Sequence, residues 1–219
     1  MKLVIGNKNY SSWSLRPWLL LKAFDVPFEE QNVSLLGLGT PGLTRRLLDY
    51  SLSARVPVLI DGERVIWDTL AICEYVSEQY LSGRGWPENP GCRARARAIT
   101  AEMHSGFAAL RTAMPMNCRA KRRLVPTGAV LADIKRVDEI WSDRRPIEDG
   151  DSWLFGEFSI ADCFYAPVAF RFETYGVVLS SEASEYMKKL LAHPAVEDWY
   201  HDALLESEVI VEDEAGEDV

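Results

Sequence analysis

Asn9-Tyr10-Ser11-Ser12-Trp13-Ser14-Leu15-Arg16-Pro17-Trp18 lies between two apolar runs, Leu3-Val4-Ile5-Gly6 before it and Trp18-Leu19-Leu20-Leu21-Lys22-Ala23-Phe24 after it. The first run is short and reads as a strand. The second forms helix without a breaker, so the order is strand, polar loop, helix. Ser14 is the expected N-cap, because a serine oxygen accepts a bond from an otherwise orphan backbone N–H. Pro17 then falls in the first turn, where a missing N–H costs nothing. Three hydroxyls thus gather at a helix N-terminus, where free N–H groups and the positive end of the dipole favour an anion. A phosphate, a carboxylate or a thiolate would suit the place. Capping and solvating a loop is the other role open to the same serines.

Outward from this stretch, Phe28 to Leu35 alternates loosely and suggests a second strand. Residues 36–42 are glycine-rich and read as a mobile loop, and Leu43 to Tyr50 as a short helix. Val56-Pro57-Val58-Leu59-Ile60, then Asp61-Gly62, then Arg64-Val65-Ile66-Trp67 is a hairpin pattern. Pro57 opens its first strand, the position a strand tolerates. Asp68-Thr69 caps an amphipathic helix with Leu70, Cys73, Val76 and Tyr80 on one side. Residues 1–80 therefore predict an α/β domain with a mixed four-stranded sheet.

A turn-rich linker spans 81–90, and beyond it strand signals nearly vanish. The spacing predicts helices over 91–114 (interrupted at Gly106), 128–145, 159–175, 181–192 and 195–205. Ser159-Ile160-Ala161-Asp162 is a close relative of the capping box. The second domain, 91–205, is expected to be all helix.

At 219 residues the chain can bury a full core, and no apolar run approaches the length that spans a bilayer. Without a signal-peptide pattern, the expected location is cytoplasmic. Cys73, Cys92, Cys118 and Cys163 form no C-x-x-C pair, and His104, His193 and His201 show no ligand spacing, so no metal site is expected. Seven of the negatives behind the net charge of −9 lie in 206–219, a stretch expected to be a disordered acidic tail. Residues 81–145 carry 13 Lys/Arg against 6 Asp/Glu, yet no aromatic platform or motif accompanies them, so nucleic acid is not an expected partner. Neither is a membrane.

Taken together, these features resemble the cytosolic glutathione transferases, in particular the serine-type zeta class and related bacterial members. The serine loop, Val56-Pro57, Asp68-Thr69 and the Ser159–Asp162 box carry the likeness, over roughly residues 2 to 205. The resemblance implies a thioredoxin-like glutathione-binding domain (1–80) and a helical domain, with glutathione as co-substrate. It also implies a homodimer, a small hydrophobic electrophile and a detoxifying role. By the same likeness Ser11 and then Ser12 would donate a hydrogen bond to the glutathione sulfur, with Ser14 beside them. Arg55, Val56, Pro57, Asp68 and Thr69 would hold the peptide, Val56 through its backbone. Tyr10, Trp13, Met103, Phe107 and Arg111 would line the electrophile pocket, and Tyr10 is also the alternative hydroxyl donor to the sulfur, as in the transferase classes that use a tyrosine. Isomerase members of the zeta class have a cysteine where this chain has Trp13, which turns the expectation toward transfer. The other expectations are isomerisation of the maleylacetoacetate type, peroxide reduction, and a non-catalytic binding module on the same fold. Ser11 and Ser14 stand where a thioredoxin has its cysteines, so disulfide exchange through an enzyme thiol is excluded at this loop.

Overall fold

The computed structural model describes residues 1–37, 39–143 and 153–219. Leu38 of the expected loop and residues 144–145, the end of the expected 128–145 helix, lie outside the described residues.

The chain opens with β1 (Lys2–Gly6), α1 (Ser12–Ala23), β2 (Glu29–Val33), α2 (Pro41–Leu48), β3 (Val58–Asp61), β4 (Arg64–Trp67) and α3 (Thr69–Tyr80). The sheet runs in the order β2-β1-β3-β4. β1 pairs parallel with β2, Lys2 against Glu29, and antiparallel with β3, Lys2 against Ile60. The β3–β4 hairpin closes at Asp61–Arg64, with Gly62 at φ +60. Alternation along the strands divides the core. Leu3, Ile5 and Leu59 point to the face covered by α1 and α3, whereas Val4 and Val58 join Leu43 and Leu47 on the opposite face.

The helical part comprises α4 (Pro90–Ser105), α5 (Ala108–Ala113), the two-residue strand β5 (Arg122–Arg123), α6 (Gly128–Ser142), α7 (Ile160–Tyr175), α8 (Ser181–Leu191) and α9 (Pro194–Leu205). The expected helix over 91–114 is two helices. It breaks where Gly106 passes so close to the Glu102 carbonyl that a Cβ would stand 2.7 Å from its oxygen. Phe107 follows at φ +54. Asn89, Thr127 and Ser180 cap α4, α6 and α8 with their side-chain oxygens. α7 is buried along almost its whole length, and its apolar residues join those of α1 and α4 in one continuous core. Trp141, Tyr165, Phe172 and Tyr186 form an edge-on aromatic cluster within it.

Residues 206–219, expected to be disordered, pack on the protein instead. Ile210 is buried beside Tyr10, Val4 and Val58. Val211–Asp213 make a 3₁₀ turn, and β6 (Glu217–Asp218) pairs antiparallel with β5. The tail is low in apolar residues, but its carboxylates meet buried N–H groups and Arg122, and its carbonyls accept from Arg119. That pairing replaces the hydrophobic driving force the composition lacks.

Candidate functional site

Ser11, not Ser14, stands at the N-cap position of α1, and the helix begins at Ser12. Ser14 therefore lies inside the first turn. Its Oγ accepts the Gly6 N–H at 3.1 Å and the Ser11 hydroxyl at 2.7 Å. The correction moves Pro17 into the second turn, where its missing N–H leaves the Trp13 carbonyl without its rung of the helix ladder. The Thr69 hydroxyl fills that gap, donating to the Trp13 oxygen at 3.1 Å. One proline thereby ties the start of α3 to the start of α1.

At α3 the N-cap Asp68 has φ +73 and accepts from the N–H groups of Leu70 (2.9 Å) and Ala71 (3.4 Å) through one oxygen. Its second oxygen lies 3.4 Å from His104 Nε2. His104 in turn meets the Trp13 ring edge-on, with centroids 5.3 Å apart.

A cavity of about 660 Å³ opens here. Of the expected residues, Trp13, Arg55, Val56, Pro57, Asp68, Thr69 and Arg111 line it, and the Val56–Pro57 bond is cis. Ser53, Trp67 and His104 line it too and were not expected. Ser11, Ser12, Ser14, Met103, Phe107 and Tyr10 are absent from the wall, the three serines lying buried behind Trp13. Met103 and Phe107 are buried in the main core. The helical face expected over 91–114 faces the core at these two positions, and His104, the residue after Met103 on α4, reaches the cavity together with the expected Arg111. Tyr10 points the other way, into the cluster beneath α2, with its hydroxyl on Glu214 at 2.5 Å.

Three cations surround the first turn of α1. Arg16 is almost fully buried, with its guanidinium 4.3 Å from the Trp13 ring and 4.7 Å from Phe164. Burial, then the charges of Arg171 and Arg111, push its pKa down to about 9. Arg171 donates to Ser12 Oγ at 3.2 Å and to the Arg111 carbonyl at 3.2 Å. Burial, then Arg111, lowers it to about 10. Arg111 lies 5.1 Å from the Trp13 ring and is lowered by burial. All three stay charged at neutral pH, so the field at this helix start favours an anion. The spacing of Arg16 and Arg171, 155 positions apart by number, holds no sequence signal that would pair them.

The chain's own buried thiols do not serve as that anion. Burial pushes Cys73, Cys118 and Cys163 well above the usual thiol range, so each is protonated at neutral pH. Among the described residues, no group of His, Cys, Asp and Glu is arranged to hold a metal ion, and no helix is long and apolar enough to cross a membrane.

Comparison with known proteins points one way. The family model for the glutathione S-transferase N-terminal domain matches residues 10–79, and that for the C-terminal domain matches residues 93–202. A solved glutathione transferase homolog from Burkholderia gl BGR1, with bound glutathione, superposes with a TM-score of 0.70 at 23% identity, covering 93% of this chain and 97% of that one. A maleyl pyruvate isomerase, a bacterial zeta-class member, gives 0.70 at 18% identity, covering 95% and 100%. These structures show the fold. Among curated relatives, the dichloromethane dehalogenase of Methylorubrum extorquens is 35% identical over 65 residues. That match covers 28% of this chain and 21% of the dehalogenase's length.

Proposed function

The chain belongs to the glutathione S-transferase family, and we propose that its cavity binds glutathione and ionises the thiol for attack on a small hydrophobic electrophile. The observation that carries this reading is the shared wall. Val56-Pro57, Asp68-Thr69 and Trp13 border one cavity, with the serine-capped start of α1 reached through Trp13.

The backbone of Val56 is placed to pair with the cysteinyl unit as an added strand. The γ-glutamyl carboxylate belongs at the N-terminus of α3, beside Thr69, where helix N–H groups favour an anion. The second oxygen of Asp68, beside His104, suits the γ-glutamyl ammonium. Arg55 and Arg111 supply cationic partners for the remaining charge.

A free thiol titrates near 8.5. Lowering it by about two units takes roughly 2.7 kcal/mol of preference for the thiolate. Hydroxyl hydrogens rotate freely, so Ser14 can turn to donate to Ser11 when a sulfur arrives. The chain Gly6 N–H to Ser14 to Ser11 to sulfur then runs in one direction, each donor strengthened by the one behind it. The α1 dipole and the Arg16–Arg111–Arg171 charges add to the same preference. Ser11 acts as a donor throughout and forms no covalent bond. Attack by the thiolate on the electrophile forms a carbon–sulfur bond and expels the leaving group or opens the strained ring. A homodimer is part of this reading.

The test is calorimetric binding of glutathione, followed by titration of the bound thiol by thiolate absorbance. Ser11→Ala is expected to raise the bound thiol pKa by roughly 1–2 units with affinity nearly unchanged. If neither Ser11→Ala nor Ser12→Ala moves that pKa, serine activation is wrong.

A further inference from the structure

The loop that delivers Ser11 is polar, Asn7-Lys8-Asn9-Tyr10, yet none of its residues is more than 5% exposed. Buried polar groups need partners, and many of these come from the distant C-terminal end of the chain. Trp199 donates to the Lys8 carbonyl at 2.9 Å, and Asp202 and Glu30 hold the Lys8 ammonium at 2.6 and 3.0 Å. Residues 117–119 complete one side, with Asn117 Oδ1 accepting from the Asn9 amide at 2.9 Å and the Arg119 N–H donating to Asn9 Oδ1 at 2.9 Å.

The other side is closed by the acidic tail. The two oxygens of Glu206 accept the adjacent backbone N–H groups of Lys8 (2.6 Å) and Asn9 (3.0 Å). Glu208 accepts from the Asn7 amide at 2.7 Å. Glu214 accepts from the Tyr10 hydroxyl at 2.5 Å and from the Asn117 amide at 2.9 Å. Arg119 clasps the tail from behind through the carbonyls of Glu206 and Glu208, and Arg122 pairs with Glu214. The Asn7 carbonyl, at the near end of this clamp, receives the Ser11 N–H at 2.8 Å. The tail and the serine are thereby two hydrogen bonds apart, Glu208 to Asn7 and Asn7 to Ser11.

We propose that residues 206–214 are a strap that sets the serine loop for thiol ionisation, with Glu206 and Glu214 as positioning residues. This rests on the glutathione reading above. Among the described residues, no hydrogen bond or ion pair of the strap goes to a cavity-wall residue, and Ile210 meets the wall only through the apolar cluster against which Val56 packs, so the strap's polar grip acts on the sulfur's partner rather than on the peptide-holding groups. A carboxylate is required at 206. Two parallel N–H donors need two acceptor oxygens, and an amide there would turn an N–H toward one of them.

The experiment uses the full chain and three variants: Glu206→Gln, Tyr10→Phe and, as a control, Glu212→Gln, which removes an exposed tail charge. Wild-type protein is first shown to bind glutathione. Glu206→Gln is then expected to raise the bound thiol pKa by about half a unit or more, about a threefold change in its ionisation constant. Glutathione affinity stays within about twofold, and amide exchange at Lys8 and Asn9 speeds by about tenfold or more. Tyr10→Phe shifts the pKa the same way by less, and its loss of a single hydroxyl keeps the test open should Glu206→Gln not fold. Glu212→Gln moves neither. Faster exchange with an unmoved thiol pKa in both variants makes the tail a structural brace only and overturns the proposal. Wild-type protein that binds no glutathione takes down the transferase reading, and the strap's catalytic role with it.

Discussion

Two helices of this protein begin with a carboxylate and a hydroxyl, and they use the pair in opposite ways. At α7, Asp162 is fully buried. It accepts from the Ser159 N–H (2.9 Å) and hydroxyl (3.0 Å), the Leu154 N–H (3.2 Å) and the Tyr186 hydroxyl (2.9 Å). Every acceptor site has a taker. At α3, Asp68 is half-exposed on the cavity wall. One oxygen satisfies the helix and the other has only His104 nearby. A helix-start carboxylate therefore makes a sealed joint when four donors surround it and leaves an edge open to the cavity when two do. What distinguishes structure from function here is spare valence, not residue type.

The sharpest break of this contrast is a pair of stability measurements. Asp162→Ala strands several buried donors and is expected to cost about 3–5 kcal/mol in urea unfolding. Asp68→Ala should cost about 1 kcal/mol, the worth of an exposed cap. Equal losses would erase the distinction. The next effect is pH-dependent. Burial pushes the Asp162 carboxyl up to about 6 from an ordinary 3.8, so the folded state holds its proton more tightly than the unfolded one. The stability owed to this group is full below the unfolded value and is lost as pH rises through about 6. Relative to Asp162→Asn, the wild-type advantage should shrink by about 2 kcal/mol between pH 4.5 and 7. A flat difference would mean the four hydrogen bonds offset the burial. The smallest effect concerns ligand. Asp68→Ala should weaken glutathione binding about tenfold, some 1.4 kcal/mol, while Asp162→Asn leaves the affinity of the folded fraction unchanged.

Much of the architecture was legible because its signals are local. Leu3 and Ile5 against Val4, Asp61-Gly62 between apolar runs, and Ser159 three residues before Asp162 each act within one element. The helix break at 106 was marked by its glycine, though not the burial of Met103 and Phe107 beside it. The cavity wall at Val56-Pro57 and Asp68-Thr69 was legible only through the family resemblance, since locally the first pair reads as a strand opening and the second as a helix cap. What escaped depends on partners far along the chain. Ser14 lost the cap position because the Gly6 N–H and Ser11 claim its oxygen. Tyr10 left the pocket because Glu214 and Ile210 hold it elsewhere. The tail looked disordered because its composition says nothing about two unpaired N–H groups almost two hundred residues upstream.

A single absent hydrogen has a final consequence. Because Pro17 leaves the Trp13 carbonyl to Thr69, the jaws that would grip the sulfur and the γ-glutamyl head are riveted together. They behave as a caliper of set gap, and such an instrument sorts peptides by length before it reads their chemistry.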